Sequence, residues 1–283
     1  MTRKVFSLLL ALLMILTILY GCSRKQGPVG TQEPAQPRQS TPAGRLAHPP
    51  DGYPAGTARL GIPVPVLYYH LVDDQFSVGG HQSPYTSMFV SPGEFEKQMR
   101  YLQSNGYTVI PLAEIENAAQ YTKPVVITFD DGYEDNYTNA YPILKEYKFP
   151  ATVFLISSFI GKPGYLNRDE IMKMGDLVSF QSHTVTHRSL NRLSAGEQDY
   201  ELSASQQAIA ALTGKEVFAL AYPNGDYDRQ TIEIAKRYYK YAFIKIPGGI
   251  YHTGDDPYQI KRLYMSRFMS LDDFIKKIQG QSG

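Results

Sequence analysis

Two adjacent carboxylates, Asp130 and Asp131, close an apolar run, Val125–Phe129, and are followed by Gly132. Like charges crowded at a buried rim raise one another's pKa unless something positive holds them. The pair therefore calls for a metal ion, a basic partner or a shared proton. Downstream, His183 and His187 stand four positions apart, close enough to converge from a helical turn or a compact loop. Two imidazoles and one carboxylate make a three-ligand site with an open position, which suits a catalytic zinc carrying water. The same donors accept other divalent metals, among them cobalt, nickel and iron. If one Asp binds metal, its neighbour is free to accept a proton from water. Asp-Asp-Gly alone is also a common turn and His-x-x-x-His a common chance pattern; their joint position at strand ends is what favours a metal site.

Those positions follow from the elements around them. Short β-branched or aromatic runs alternate with capped helical segments from residue 62 onward. The expected strands are Val64–Tyr69, Val125–Phe129, Thr152–Ile156, Leu177–Gln181, Phe218–Tyr222 and Tyr241–Ile244. Ser91-Pro92-Gly93-Glu94 places an N-cap, a first-turn Pro and a capping-box Glu ahead of Phe95, Met99 and Leu102, with Asn105-Gly106 as the stop. Ser194-Ala195-Gly196-Glu197 opens a helix that Gly214 closes, and Ser270-Leu271-Asp272-Asp273 opens the last one. Apolar strands separated by helices predict a parallel sheet covered on its outer side. The natural closure is a distorted β/α barrel, with an open doubly wound sheet as the alternative. Chemistry in such folds sits at the C-terminal ends of the strands. Standing there are His70, Asp130-Asp131-Gly132, Ser182-His183 and Pro223-Asn224-Gly225.

These residues resemble a known family. Thr128-Phe129-Asp130-Asp131-Gly132 is similar to the first motif of the NodB-homology polysaccharide deacetylases, carbohydrate esterase family four. His183-Thr184-Val185-Thr186-His187 resembles their second motif, and Ala221-Tyr222-Pro223-Asn224-Gly225 their third. The similarity covers about residues 62–245. It implies a metal-dependent hydrolase that removes acetyl groups from N-acetylglucosamine units of a polymer. Carried over, Asp131, His183 and His187 hold the metal, Asp130 is the general base, and the backbone N–H of Asn224 helps bind the oxyanion. Two departures stand out. The third motif's Arg, which pairs with the base, is replaced by Ala221, so Asp130 needs a cation from elsewhere. The usual motifs that supply a general acid are also missing. Val66-Leu67-Tyr68-Tyr69-His70 resembles the rearranged order of members that act on exopolysaccharide, which makes His70 the expected acid, with His252 as second candidate. Tyr69, Tyr133 and Tyr222 are expected to flank the mouth, and Tyr222 is the candidate substrate contact. Lys276-Lys277, on the last helix, is expected to face solvent.

The N-terminus reads as an address. Arg3 and Lys4 precede the apolar run Val5–Tyr20, shorter than the roughly 20 residues a spanning helix needs. Leu19-Tyr20-Gly21-Cys22 resembles a bacterial lipobox, and Cys22 is the only cysteine in the chain. Residues 1–21 are thus expected to be a lipoprotein signal peptide. Residues 22–61, with seven Pro and six Gly after Cys22, are a lipidated Cys and disordered tether containing an inert His48, and residues 62–283 the deacetylase domain. Formal charge is +1, from 28 basic against 27 acidic residues, which leaves no footprint for nucleic acid. The expected protein is a monomer, lipid-anchored at the outer face of the cytoplasmic membrane or secreted if the lipobox fails. Its expected polymer is poly-N-acetylglucosamine, then peptidoglycan. The rivals are a catalytically weak glycan-binding lipoprotein, for which Ala221 is the argument, and an acetyl-ester hydrolase on xylan.

Overall fold

Continuous apolar runs give strands buried on both faces, and these organise the domain. The computed structural model describes residues 61–281. The expected signal segment, Cys22, His48 and all of the expected tether except Gly61 lie outside them. One curled parallel sheet carries seven strands along its main path and an eighth, Thr108–Val109, paired only with the start of Pro124–Phe129. The seven are β1 (Val66–Tyr69), β2 (Pro124–Phe129), β3 (Ala151–Leu155), β4 (Val178–Ser182), β5 (Ala219–Ala221), β6 (Tyr241–Phe243) and β7 (Leu263–Tyr264). Their order is β6-β5-β4-β3-β2-β1-β7, so successive strands advance the same way round and the reversal of a doubly wound sheet does not occur. β7 pairs with β1 through Leu263–Leu67 and Tyr264–Tyr68. Its lead-in meets β6 at a single parallel bridge, Phe243 to Ile260. The result is a distorted barrel with a thin seam.

Alternation along the strands sorts their side chains into two layers. Leu67, Tyr69, Val125, Ile127, Phe129, Val153 and Leu155 share one cluster with Phe95, Met99 and Leu102 of α1 (Pro92–Ser104). Also in it are Leu144 of α2 (Tyr141–Tyr147), Ile171 of α3 (Arg168–Met174) and Leu202 of α4 (Ala195–Thr213). The remaining helices, α5 (Arg229–Ala235) and α6 (Leu271–Ile278), add Ile234 and Phe274. Val66, Val126, Phe154, Ala219, Ala221, Phe243 and Ile260 form the other cluster, on the opposite face. On β2 the series of Val126 and Thr128 continues to Asp130, so strand register delivers that carboxylate to the inner side.

The helix boundaries follow local chemistry. Ser91 Oγ accepts the Glu94 N–H at 3.1 Å, and α1 stops before Gly106, whose φ is +72°. Ser194 and Glu197 form a reciprocal capping box, and Gly214 ends α4 with φ +68°. Ser270 and Asp273 do the same for α6. The expected strand Val64–Tyr69 is interrupted at Pro65, which has no N–H to donate; Pro63–Val64 instead pairs antiparallel with Tyr251–His252. β7 is absent from the expected strands, because two residues behind Lys261-Arg262 leave no apolar run to read. Replacing the α4 cap, Ser194→Ala, is expected to cost about 1 kcal/mol, a fall in Tm of about 2–4 °C by thermal melting.

Candidate active site

The strand ends converge on a cavity of about 520 Å³ lined by His70, Asp130, Asp131, His183, His187, Tyr222, Asn224 and Arg262, among others. Its shape depends on backbone reversals. Asp131 has φ +72° and Gly132 φ +77°, and a Cβ on Gly132 would lie 2.6 Å from Leu155 Cδ2. Thr184, His187 and Asn224 also adopt positive φ, so four of the seven non-glycine residues in that region among the described residues stand at this site. Such conformations carry strain and persist only where the surroundings impose them. The reversal after Asp130 gives the two adjacent carboxylates different partners.

Asp131 faces the histidines. Its Oδ1 lies 3.4 Å from Nε2 of His183 and 3.4 Å from Nε2 of His187. One ligand atom from each of the three lies within 4.8 Å of the others. Buried Oδ1 has no hydrogen-bond donor. An orphaned carboxylate oxygen facing two imidazole nitrogens fits a divalent cation by position and by donor chemistry. The rings are held from behind. His183 Nδ1 is 2.7 Å from the Ala221 carbonyl, which makes Nδ1 the protonated nitrogen and leaves the Nε2 lone pair facing Asp131. Glu201 of α4, itself buried, accepts the N–H groups of Val185 and Thr186, each at 2.8 Å, and the Thr186 hydroxyl at 2.5 Å. Burial, then the neighbouring His183, push His187 down to about 4, so it is a neutral donor at pH 7. Burial also lowers His183, but Asp131 and Asp130 outweigh it and raise its pKa.

Asp130 faces a cation that sequence reasoning missed. Arg262, only 1% exposed, donates Nη1–H to Oδ1 at 2.7 Å and Nη2–H to Oδ2 at 2.8 Å. The guanidinium lies 4.3 Å from the centroid of Tyr68. Burial alone would raise the Asp130 carboxyl; Arg262 chiefly, then His183, hold it below the ordinary range. Arg262 thus takes the place left by Ala221, from a remote point in the chain. A charged pair, Lys261-Arg262, inside the otherwise apolar Ile260–Met265 was the available signal.

The other expected residues divide. His70 lies in the cavity, with Nδ1 buried and without a partner. Burial lowers its pKa, against an upward pull from Asp131 and Asp130. Asn224 has φ +60°, and its N–H, unlike those of Gly225 and Asp226, closes no turn bond. Tyr133 stacks on Tyr165 at the cavity wall, centroids 5.1 Å apart. Tyr222 does not offer its ring to substrate. It is 2% exposed, stacked on Tyr227 at 4.6 Å, and its hydroxyl donates to the Tyr258 carbonyl. Tyr69 is fully buried and donates to Gln98, away from the mouth. His252 is exposed on a separate cavity of about 870 Å³, near Asp255, and so is not grouped with the acid candidates. Lys277, at the same cavity, is half-buried and donates to the Tyr264 carbonyl at 2.9 Å, whereas its neighbour Lys276 is exposed.

A parallel β/α barrel with this cluster at its strand ends is the architecture of the polysaccharide deacetylases, and that family's profile matches residues 117–242. The chain belongs to the polysaccharide deacetylase family. It is 34% identical over 180 residues to the Bacillus subtilis protein YxkH; the match covers 62% of this chain and 61% of YxkH, less than two thirds of that relative. Identity to the poly-beta-1,6-N-acetyl-D-glucosamine N-deacetylase of Staphylococcus aureus is 30% over 198 residues, 62% of this chain and 68% of that one. The crystal structure of BC0361, a polysaccharide deacetylase from Bacillus cereus, superposes with a TM-score of 0.71 at 33% identity, covering 77% of this chain and 69% of that one.

Two outcomes follow from the geometry. Glu201→Ala releases the loop that carries His187 and is expected to weaken zinc binding about 10–100-fold, measured by competition with a chromophoric chelator. Arg262→Met leaves Asp130 buried without its cation, at an expected cost of about 3–5 kcal/mol near neutral pH. In the wild type the Asp130 pKa is below its unfolded value of about 3.9, so its stabilisation is present above that pH and lost as pH falls through the folded pKa. In the variant burial raises the pKa, so charging the carboxyl destabilises. The stability gap between metal-free wild type and variant should therefore widen from about pH 4 toward neutrality, as urea titrations would record.

Proposed function

We propose that this chain is a metal-dependent hydrolase that removes N-acetyl groups from N-acetylglucosamine units of a cell-surface or extracellular polysaccharide. The observation that carries the reading is the convergence of Asp131, His183 and His187 beside an Asp130 held charged by Arg262. The three would hold a divalent metal, zinc first, which when bound supplies Lewis acidity toward an acetyl carbonyl and water. Asp130 takes the proton of the attacking water, and Arg262 keeps the carboxylate ionised to do so. The free N–H of Asn224 donates to the oxyanion as the carbonyl becomes tetrahedral. His70, at the cavity wall, gives a proton to the departing amine; acetate and a free amino sugar leave. Arg262 supplies the cation whose loss at Ala221 was the ground for a binding-only protein, so turnover is the favoured reading.

The name of the S. aureus relative supports poly-N-acetylglucosamine as the first polymer to test, with peptidoglycan next. The N-terminal pattern supports a location outside the cytoplasmic membrane, anchored through lipid on Cys22. The deciding assay is acetate release by residues 60–283 with zinc, comparing poly-N-acetylglucosamine, peptidoglycan and acetylated xylan. Release from an amino-sugar polymer is expected, abolished by a chelator, restored by zinc or cobalt, and reduced about 10²–10⁴-fold in Asp130→Asn. Release from xylan alone would move the assignment to ester hydrolysis, and an unchanged His70→Ala would remove that residue as the acid.

A further inference from the structure

Five large hydrophobic side chains stand exposed among the described residues: Tyr85, Met172, Tyr200, Ile246 and Phe268. Singly exposed apolar groups are ordinary, but of these only Tyr85, 67% exposed, lines the catalytic cavity. The cavity's other aromatic rings are already engaged. Tyr133 stacks on Tyr165, Phe159 meets Tyr165 edge-on, Tyr222 stacks on Tyr227, and Tyr68 packs on Tyr264. The Tyr85 ring meets no other ring among the described residues, whereas its backbone is fixed. Its N–H donates to Ser83 Oγ at 3.2 Å, and its carbonyl accepts the Met88 N–H at 3.0 Å. The chain then enters Phe89–Val90, which pairs with Leu71–Val72 directly after His70. A ring with two rotatable angles, on an anchored turn beside the active site, loses little entropy on gaining a flat partner.

We propose that Tyr85 is a positioning residue, the stacking platform for a pyranose ring of the polysaccharide outside the deacetylation pocket, and that it makes the enzyme favour a polymer over a single sugar. The inference rests on the deacetylase reading. A sugar's face of C–H groups suits the electron-rich face of an aromatic ring, and the metal-binding cluster can grip only the acetamido group of one unit. Contact made equally in ground and transition states lowers KM and leaves kcat alone.

The test uses N-acetylglucosamine oligomers of increasing length. Wild-type KM should fall with length. Tyr85→Ala should lose that gain, with KM for the longest oligomer rising about tenfold, about 1.4 kcal/mol, and the loss falling on KM rather than kcat. Tyr85→Phe should retain the gain, because the ring and not the hydroxyl is used. The chain has no Trp, so Tyr85→Trp places its single tryptophan at the platform, excited selectively at the red edge of absorption where the tyrosines do not absorb. In zinc-free protein its emission should shift on adding a hexamer and not on adding the monosaccharide. An unchanged KM in Tyr85→Ala, or emission indifferent to the hexamer, would overturn the proposal. Absence of acetate release from every oligomer would instead sink the deacetylase reading, while the emission titration still reads glycan at Tyr85.

Discussion

A carboxylate and a guanidinium, both almost fully buried, are joined by two short parallel hydrogen bonds inside the barrel: Asp130 at the end of β2 and Arg262 just before β7. Taking two such charges out of water costs several kcal/mol each, and only good geometry offsets it. The pair is enclosed by Tyr68, Phe154 and Phe243, whose ring centroids lie 4.3, 5.7 and 5.8 Å from the guanidinium carbon. It also adds a side-chain link across the seam of the barrel. β7 is two residues long and its lead-in meets β6 through one bridge, so Arg262 ties the seam of the barrel to its centre. The contact that keeps the proposed base charged is therefore also one that closes the fold.

The second constraint is the separation of Asp130 from Asp131. Neighbouring carboxylates that shared one environment would raise one another's pKa and blur their roles. The left-handed turn at Asp131 and Gly132 sends one to a permanent cation and the other to two imidazoles. Glu201 and the Ala221 carbonyl then hold those imidazoles from behind. Ala221 accordingly has a part through its backbone while the side chain it replaced is supplied from elsewhere.

What could be read from the sequence was local. The caps at Ser91, Ser194 and Ser270 and the stops at Gly106 and Gly214 depend on hydrogen bonds within a turn, and the structure has them where the residues placed them. The Asp-Asp-Gly and His-x-x-x-His groups were legible because each is contiguous and ends a strand. Tyr222 lines the cavity, as its place in the chain suggests, but that its ring is taken up by Tyr227 and its hydroxyl by the Tyr258 carbonyl is set by folding and not by neighbourhood in the chain. His252 and Lys277 changed meaning for the same reason: the first is left on another cavity, the second is drawn over the Tyr264 carbonyl.

The chain's pattern by itself determined the alternation of strands and helices, the two motifs that supply carboxylates and imidazoles, and the end of the sheet on which they stand, since register and capping act over a few residues. Only the tertiary structure decided which cation accompanies Asp130, because Arg262 lies 132 positions away and reaches it only when the barrel closes. No short-range rule can report a partner whose distance is set by the curl of the whole sheet.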